Sequence, residues 1–210
     1  MKTRRRAHEV LEFWFGTRPY TPDAVAQRMR RWFGDPSAPE IQPQADEDIR
    51  LRFTSLTQQA AAGEIASWES SPRRRLALIL LLDQFPRNLY RGTAAAYAQD
   101  GAALELALGG MQLGADAVLD PVERIFFYLP LEHAESREVQ EESLAAFRRL
   151  AAEAPVELGS VFGGVSQFAQ LHYDIIERFG RFPHRNAQLG RTSPPDEISW
   201  LAGGGLTFGQ

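Results

Sequence analysis

The chain has 210 residues, 44% of them hydrophobic and 24% charged, with a formal net charge of -4 and no cysteine. That length and composition suit one soluble globular domain spanning residues 1–210, and exclude a disordered chain. The lack of cysteine excludes disulfides, thiolate metal sites and thiol nucleophiles, and the acidic balance argues against nucleic acid as a partner.

The start, MKTRRRAHEVLEFWFG, is basic but does not read as a signal peptide: VLEFWF is short, carries Glu12 and precedes no small-residue cleavage site. Residues 1–6 are expected as a short basic tail. Phe13-Trp14-Phe15 and Trp32-Phe33 are expected to anchor the ends of two short helices. Thr21-Pro22, Ser71-Pro72 and Asp120-Pro121 each put a capping side chain before a proline, the pattern of an N-cap followed by proline at the first helical position. Ser193-Pro194 predicts a similar start. Between the first two starts, residues 36–43 (PSAPEIQP) predict a flexible excursion. Ile49, Phe53, Leu56 and Ala60 then form a stripe at helical spacing that Gly63 ends.

Arg73, Arg74 and Arg75 fall in the first turn of the next helix, where the helix dipole opposes cations. They are therefore expected to find acidic partners, with Asp46, Glu47 and Asp48 as candidates. Leu76 to Leu82 is apolar on every side. It predicts a central helix buried by its neighbours, and it is far below the ~20 residues of a membrane span. Residues 102–111 predict a helix loosened by Gly109 and Gly110. Glu123 completes a capping box with Asp120, Pro130 is expected to kink or end that helix, and Ser136 to cap the next. Two more stripes follow: Val139, Ser143, Leu144, Phe147 and Leu150, then Val165, Phe168, His172, Ile175, Ile176 and Phe179. The glycine-rich tail, 203–210, is expected to be loosely held. With no alternating strand pattern, the fold class is all-α, its helices stacked as antiparallel hairpins, and the location cytoplasmic.

Two nearly identical strings carry the candidate site. DQFPRN at 83–88 and GRFPHRN at 180–186 each follow an apolar helical run, and Pro86 and Pro183 lie 97 residues apart (183 − 86). The plainer reading makes both Phe-Pro pairs helix stops, with Arg87 and Arg185 near the last carbonyls. The functional reading joins the two helix ends into an anion cleft. Arg87, Asn88, Arg91, Arg185 and Asn186 would line it, and Asp83 or Glu132 would supply the protein's own acid between the arginines. His133, between Glu132 and Glu135, and His184 are the candidate acid–base groups; the plainer reading of His133 is a polar turn. His172 lies on an apolar stripe, as a satisfied buried histidine or as a polar group at the floor of a cleft. No metal-ligand spacing, P-loop, dinucleotide fingerprint or nucleophile elbow occurs, so no metal or other cofactor is expected.

FWFG, LLDQFPRNLYRG, PVERIFFYLPLEHAES and RFPHRNAQLGR, in that order, resemble the bacterial family catalogued as domain of unknown function 924, from about Val10 to Gly204. The resemblance implies a TPR-like helical array and brings no activity with it. The expected function is a binding module that takes a peptide or small anionic ligand in an Arg/Asn-lined cleft, because helical arrays present binding surfaces. The alternative is an enzyme acting on a small anionic substrate, with His133 or His184 as acid–base group, Glu132 beside it and the arginines as clamp.

Overall fold

The computed structural model describes residues 2–35 and 37–208, with side chains from Arg5 onward. The described residues form helices and turns with no strand, so the chain is all-α. Helix α1 (Lys2–Phe15) takes in most of the stretch expected as a basic tail: Arg5 pairs with Glu9 and Arg6 donates to Gln59 at 3.1 Å. Met1 and the side chains of residues 2–4 lie outside the described residues. Helix α2 (Pro22–Phe33) starts at Thr21, whose hydroxyl accepts from the Ala24 N–H. The expected excursion ends in helix, at residues 41–43. After a turn in which the Asp35 carboxylate accepts from Ser37, α3 (Ile41–Ala61) begins and absorbs Pro43 in its first turn, where no N–H donor is needed. Pro36 itself lies outside the described residues.

The centre is α4 (Pro72–Ile79), which runs through a wide π turn (Leu80–Gln84) directly into α5 (Phe85–Leu89). Phe85-Pro86 therefore does not stop the helix, contrary to expectation. Pro86 has no N–H for the usual i−4 carbonyl, and the π turn before it, with Phe85 N–H bonded to the Leu80 carbonyl, re-registers the chain around that gap. This central helix packs on α1, α3, α6 (Asp100–Gln112) and α7 (Pro121–Glu132). Leu76, Ile79, Leu80 and Leu81 are wholly buried in it. Phe13, Trp14, Leu78, Phe126, Phe127, Phe147 and Ile175 are buried as well.

Gly110 lets α6 approach closely, because a Cβ there would lie 2.5 Å from Phe127 Cζ and 2.8 Å from Arg75 Cδ. Helix α7 opens on the Asp120–Glu123 capping box and runs past Pro130 to Glu132. Helices α7, α8 (Arg137–Ala152) and α9 (Gly159–Phe179) then pack in chain order. The end of α9 is set by Gly180 in the left-handed region (φ 69°), two residues before the second Phe-Pro, which instead opens a 3-10 turn (Pro183–Arg185). Helix α10 (Pro195–Ala202) starts one proline later than expected, with Pro194 as N-cap.

Two further expectations fail for tertiary reasons. The acids proposed for the arginine run are engaged elsewhere: Asp46 with Arg91, Glu47 with Arg50, Asp48 with Arg31. Arg73 meets Glu123 instead, Arg75 the Leu106 carbonyl, and Arg74 the Ser70 hydroxyl. Phe168, on an apolar stripe, is 52% exposed. The tail folds back so that Phe208 joins a small second apolar cluster with Ile175, Ile176, Phe179, Phe182 and Trp200.

Candidate functional site

The site lies where this second cluster meets the main core. Asp83, in the π turn, is wholly buried. Arg87, one turn on, donates to the Asp83 carbonyl at 2.5 Å and lies 3.3 Å from its carboxylate. Its guanidinium then forks onto Asp100 at 2.9 and 3.0 Å. Asp100 is in the first turn of α6, where the helix dipole favours a carboxylate. Arg185, from the 3-10 turn, reaches the same Asp100 at 3.3 Å and the His133 carbonyl at 3.1 Å. The two arginines of the twin strings thus converge on one acid. That acid is neither Asp83, which pairs with Arg87 and His133, nor Glu132, whose titratable neighbour is His172 at 3.5 Å.

His133 caps α7 and places Nδ1 2.7 Å from Asp83 Oδ1, in place of the expected setting between Glu132 and Glu135. Burial would raise the Asp83 carboxyl, but Arg87 and His133 hold it well below the usual carboxylate range. Burial pushes His133 down, and Arg87 adds to that against the pull of Asp83. The pair is therefore an ionised Asp83 and a neutral His133 whose Nδ1–H donates, leaving Nε2 as the lone-pair nitrogen. Glu132, 2% exposed, has an Oε1 with no hydrogen-bond partner among the described residues; burial, then Asp83, push its carboxyl well above the ordinary value.

The two guanidiniums are not equivalent. Burial works against both, but Asp83 and Asp100 raise Arg87, whereas Arg185 is lowered by burial and by Arg87 together. Arg185 Nε is buried with no hydrogen-bond partner among the described residues, and so is the Tyr97 hydroxyl. Arg185 lies over the Tyr97 ring (4.8 Å) and the Phe182 ring (4.4 Å), which desolvate it on two sides.

His172 Nδ1–H donates to the Phe168 carbonyl at 2.8 Å, since a carbonyl only accepts. Burial, with His133 nearby, takes His172 down to about 3, and burial with Arg185 does the same for His184. His172 stacks on Phe208 with ring centroids 3.7 Å apart.

The remaining candidates stand outside this group. Asn88 and Arg91 both bind Asp46 on α3. Asn186 donates to Ser193 and to the buried Glu197 of α10, which Arg181 also holds. These asparagines clamp elements of the fold. Surface depressions of ≈ 300 Å³, between α9, α10 and the glycine tail, and of ≈ 220 Å³, beside α1 and the start of α4, are lined by none of the site residues. Among the described residues no group of three or more acidic or histidine side chains is disposed to hold a metal ion. Asp100, Tyr97 and Phe208 had no signal in the sequence: Asp100 could have been found only as an acid at a helix start.

The family model for a bacterial protein of unknown function (DUF924) matches residues 10–205. The chain belongs to this family. The solved structure of a protein of unknown function from Agrobacterium tumefaciens is similar to this DUF924 chain at 34% identity and a TM-score of 0.75, covering 95% of this chain and 98% of that one. No curated protein matches the sequence. No helix among the described residues of this DUF924 member is long and apolar enough to cross a membrane.

Proposed function

We propose that this DUF924 protein binds a small carboxylate- or phosphate-type anion beside Arg185. One observation carries the reading: a single carboxylate, Asp100, is shared by two buried guanidiniums, and Arg185 keeps a buried Nε–H without a partner among the described residues. An unmade bond on a buried charged group costs about 1–3 kcal/mol or more, so a ligand oxygen there is favoured. Asn88, Arg91 and Asn186 have no part in it. The test is thermal unfolding in acetate and in inorganic phosphate. Either anion should raise the midpoint of the parent chain and not that of Arg185→Gln, since a ligand of the folded state stabilises it by mass action. Equal shifts in both proteins would reject the reading.

The Asp83–His133 pair favours a second reading, an enzyme that uses His133 Nε2 as general base on such an anion, with Asp83 fixing the tautomer. His133→Gln should then abolish turnover in a screen of small carboxylate esters and phosphomonoesters while the fold persists. Full activity would make His133 a structural cap.

A further inference from the structure

We infer that His172, Phe182, His184 and Phe168 form a receptor for a planar aromatic ring, filled in the free chain by Phe208 of its own tail and open to an aryl carboxylate whose acid group reaches Arg185. The carboxylate half rests on the function proposed above; the ring half stands on separate observations.

Phe208 stacks nearly parallel on His172, at 3.7 Å and 14°. Phe182 meets it at 85°, His184 at 68° and Phe168 at 55°, with centroids 6.3, 5.8 and 6.5 Å away. One stacked face and several tilted or edge-on rings are the arrangement that aromatic quadrupoles favour. The box walls come from α9 and the segment after it, whereas the ring that fills it arrives on a tail with little other anchoring. Gly204 turns that tail at φ 89°, Gly205 passes over Trp200 where a Cβ would come within 2.5 Å of the ring, and Leu206 is 41% exposed. Phe208 itself is held at φ 53°, a left-handed conformation unfavourable for a bulky residue. The ring is thus held in the box against the preference of its own backbone, which lowers the cost of its exchange for a free ring. Phe182 is the common wall: its ring touches the box on one side and carries the Arg185 guanidinium at 4.4 Å. A ring in the box and a carboxylate at Arg185 would thus flank the same Phe182 side chain.

The experiment titrates phenylacetate, cyclohexylacetate, acetate and benzyl alcohol into the parent chain, Phe208→Ala, Phe208→Leu and Arg185→Gln by calorimetry, with folding checked by circular dichroism. Removing the resident ring should tighten phenylacetate by about tenfold or more, and cyclohexylacetate should not share the gain. Arg185→Gln should weaken phenylacetate but leave benzyl alcohol unchanged. Phe208→Leu, which keeps apolar bulk, serves if Phe208→Ala fails to fold and should move in the same direction. Equal phenylacetate affinity in the parent and both Phe208 variants overturns the inference, as does a cyclohexylacetate gain equal to that of phenylacetate. Acetate binding that depends on Arg185 without any aromatic gain would overturn the ring receptor and leave the anion reading standing. Benzyl alcohol binding that Phe208→Ala improves, with no acetate binding, would uphold the receptor and reject the anion reading.

Discussion

Asp100→Asn removes the charge that two buried arginines share. In the native site its carboxylate takes bonds at 2.9 and 3.0 Å from Arg87 and 3.3 Å from Arg185, and its side chain is only 17% exposed. An asparagine keeps one acceptor oxygen and places an amide against guanidinium donors. Arg87 retains Asp83, so the loss falls on Arg185. Removing one partner of a buried pair costs about 3–5 kcal/mol, and the retained oxygen and partial exposure place this variant near the low end, about 3 kcal/mol. For a chain of this size that is a fall of about 6–12 °C in the unfolding midpoint. Urea titration should show a lower midpoint at an unchanged slope, because the surface exposed on unfolding is the same. The lost charge should also be replaceable: phosphate or acetate should recover more stability in Asp100→Asn than in the parent. A loss below about 1 kcal/mol, with no gain from anions, would refute the view that Asp100 neutralises both arginines.

Leu81 is wholly buried in the central helix, so Leu81→Ala should cost about 2–5 kcal/mol in a denaturant titration, and a loss under about 1 kcal/mol would place that helix outside the core. Gly110→Ala should cost about 1–3 kcal/mol by calorimetry, because the new methyl meets Phe127 and Arg75; a neutral result would mean α6 can shift outward freely. Glu132 has its folded-state carboxyl raised, so the folded chain keeps a proton that the unfolded chain releases, and stability falls as pH rises above the ordinary Glu value. Glu132→Gln should therefore stabilise more at pH 8 than at pH 4, and a pH-independent difference would contradict the buried, protonated carboxyl. His172 has its folded value depressed to about 3, so its contribution is present above the ordinary histidine value and is lost as pH falls from there toward 3, at up to about 1.4 kcal/mol per pH unit. His172→Phe should flatten that acid limb; an unchanged limb would show that other groups set it.

What local chemistry decides was legible in the residues. Thr21-Pro22 and Asp120-Pro121-Val122-Glu123 announced helix starts because a cap and its proline act within one turn. The stripe from Ile49 to Ala60 is buried as its spacing required. Pro86 was misread because the π turn that absorbs it is a compromise between the backbone and the packing of a helix surrounded by four others. The repeated Phe-Pro with Arg and Asn pointed to two guanidiniums that do meet, although one string lies within a helix and the other in a 3-10 turn. Their common acid could not be read, since Asp100 lies 85 residues from Arg185 and shares no pattern with it. The asparagines diverged because Asp46 and Glu197, on unrelated helices, take up their amides.

The most direct measurement is an NMR titration of the arginine Nε–H resonances with acetate and with phosphate, comparing Arg185 with Arg87. The two terminal nitrogens of Arg87 are already forked onto Asp100, whereas Arg185 Nε is buried without a partner among the described residues. The account predicts a saturable downfield shift of the Arg185 Nε–H with a smaller change at Arg87, whose charge Asp83 and Asp100 already compensate. An Arg185 resonance that does not move, or that moves no more than those of exposed arginines, would contradict an anion site at Arg185.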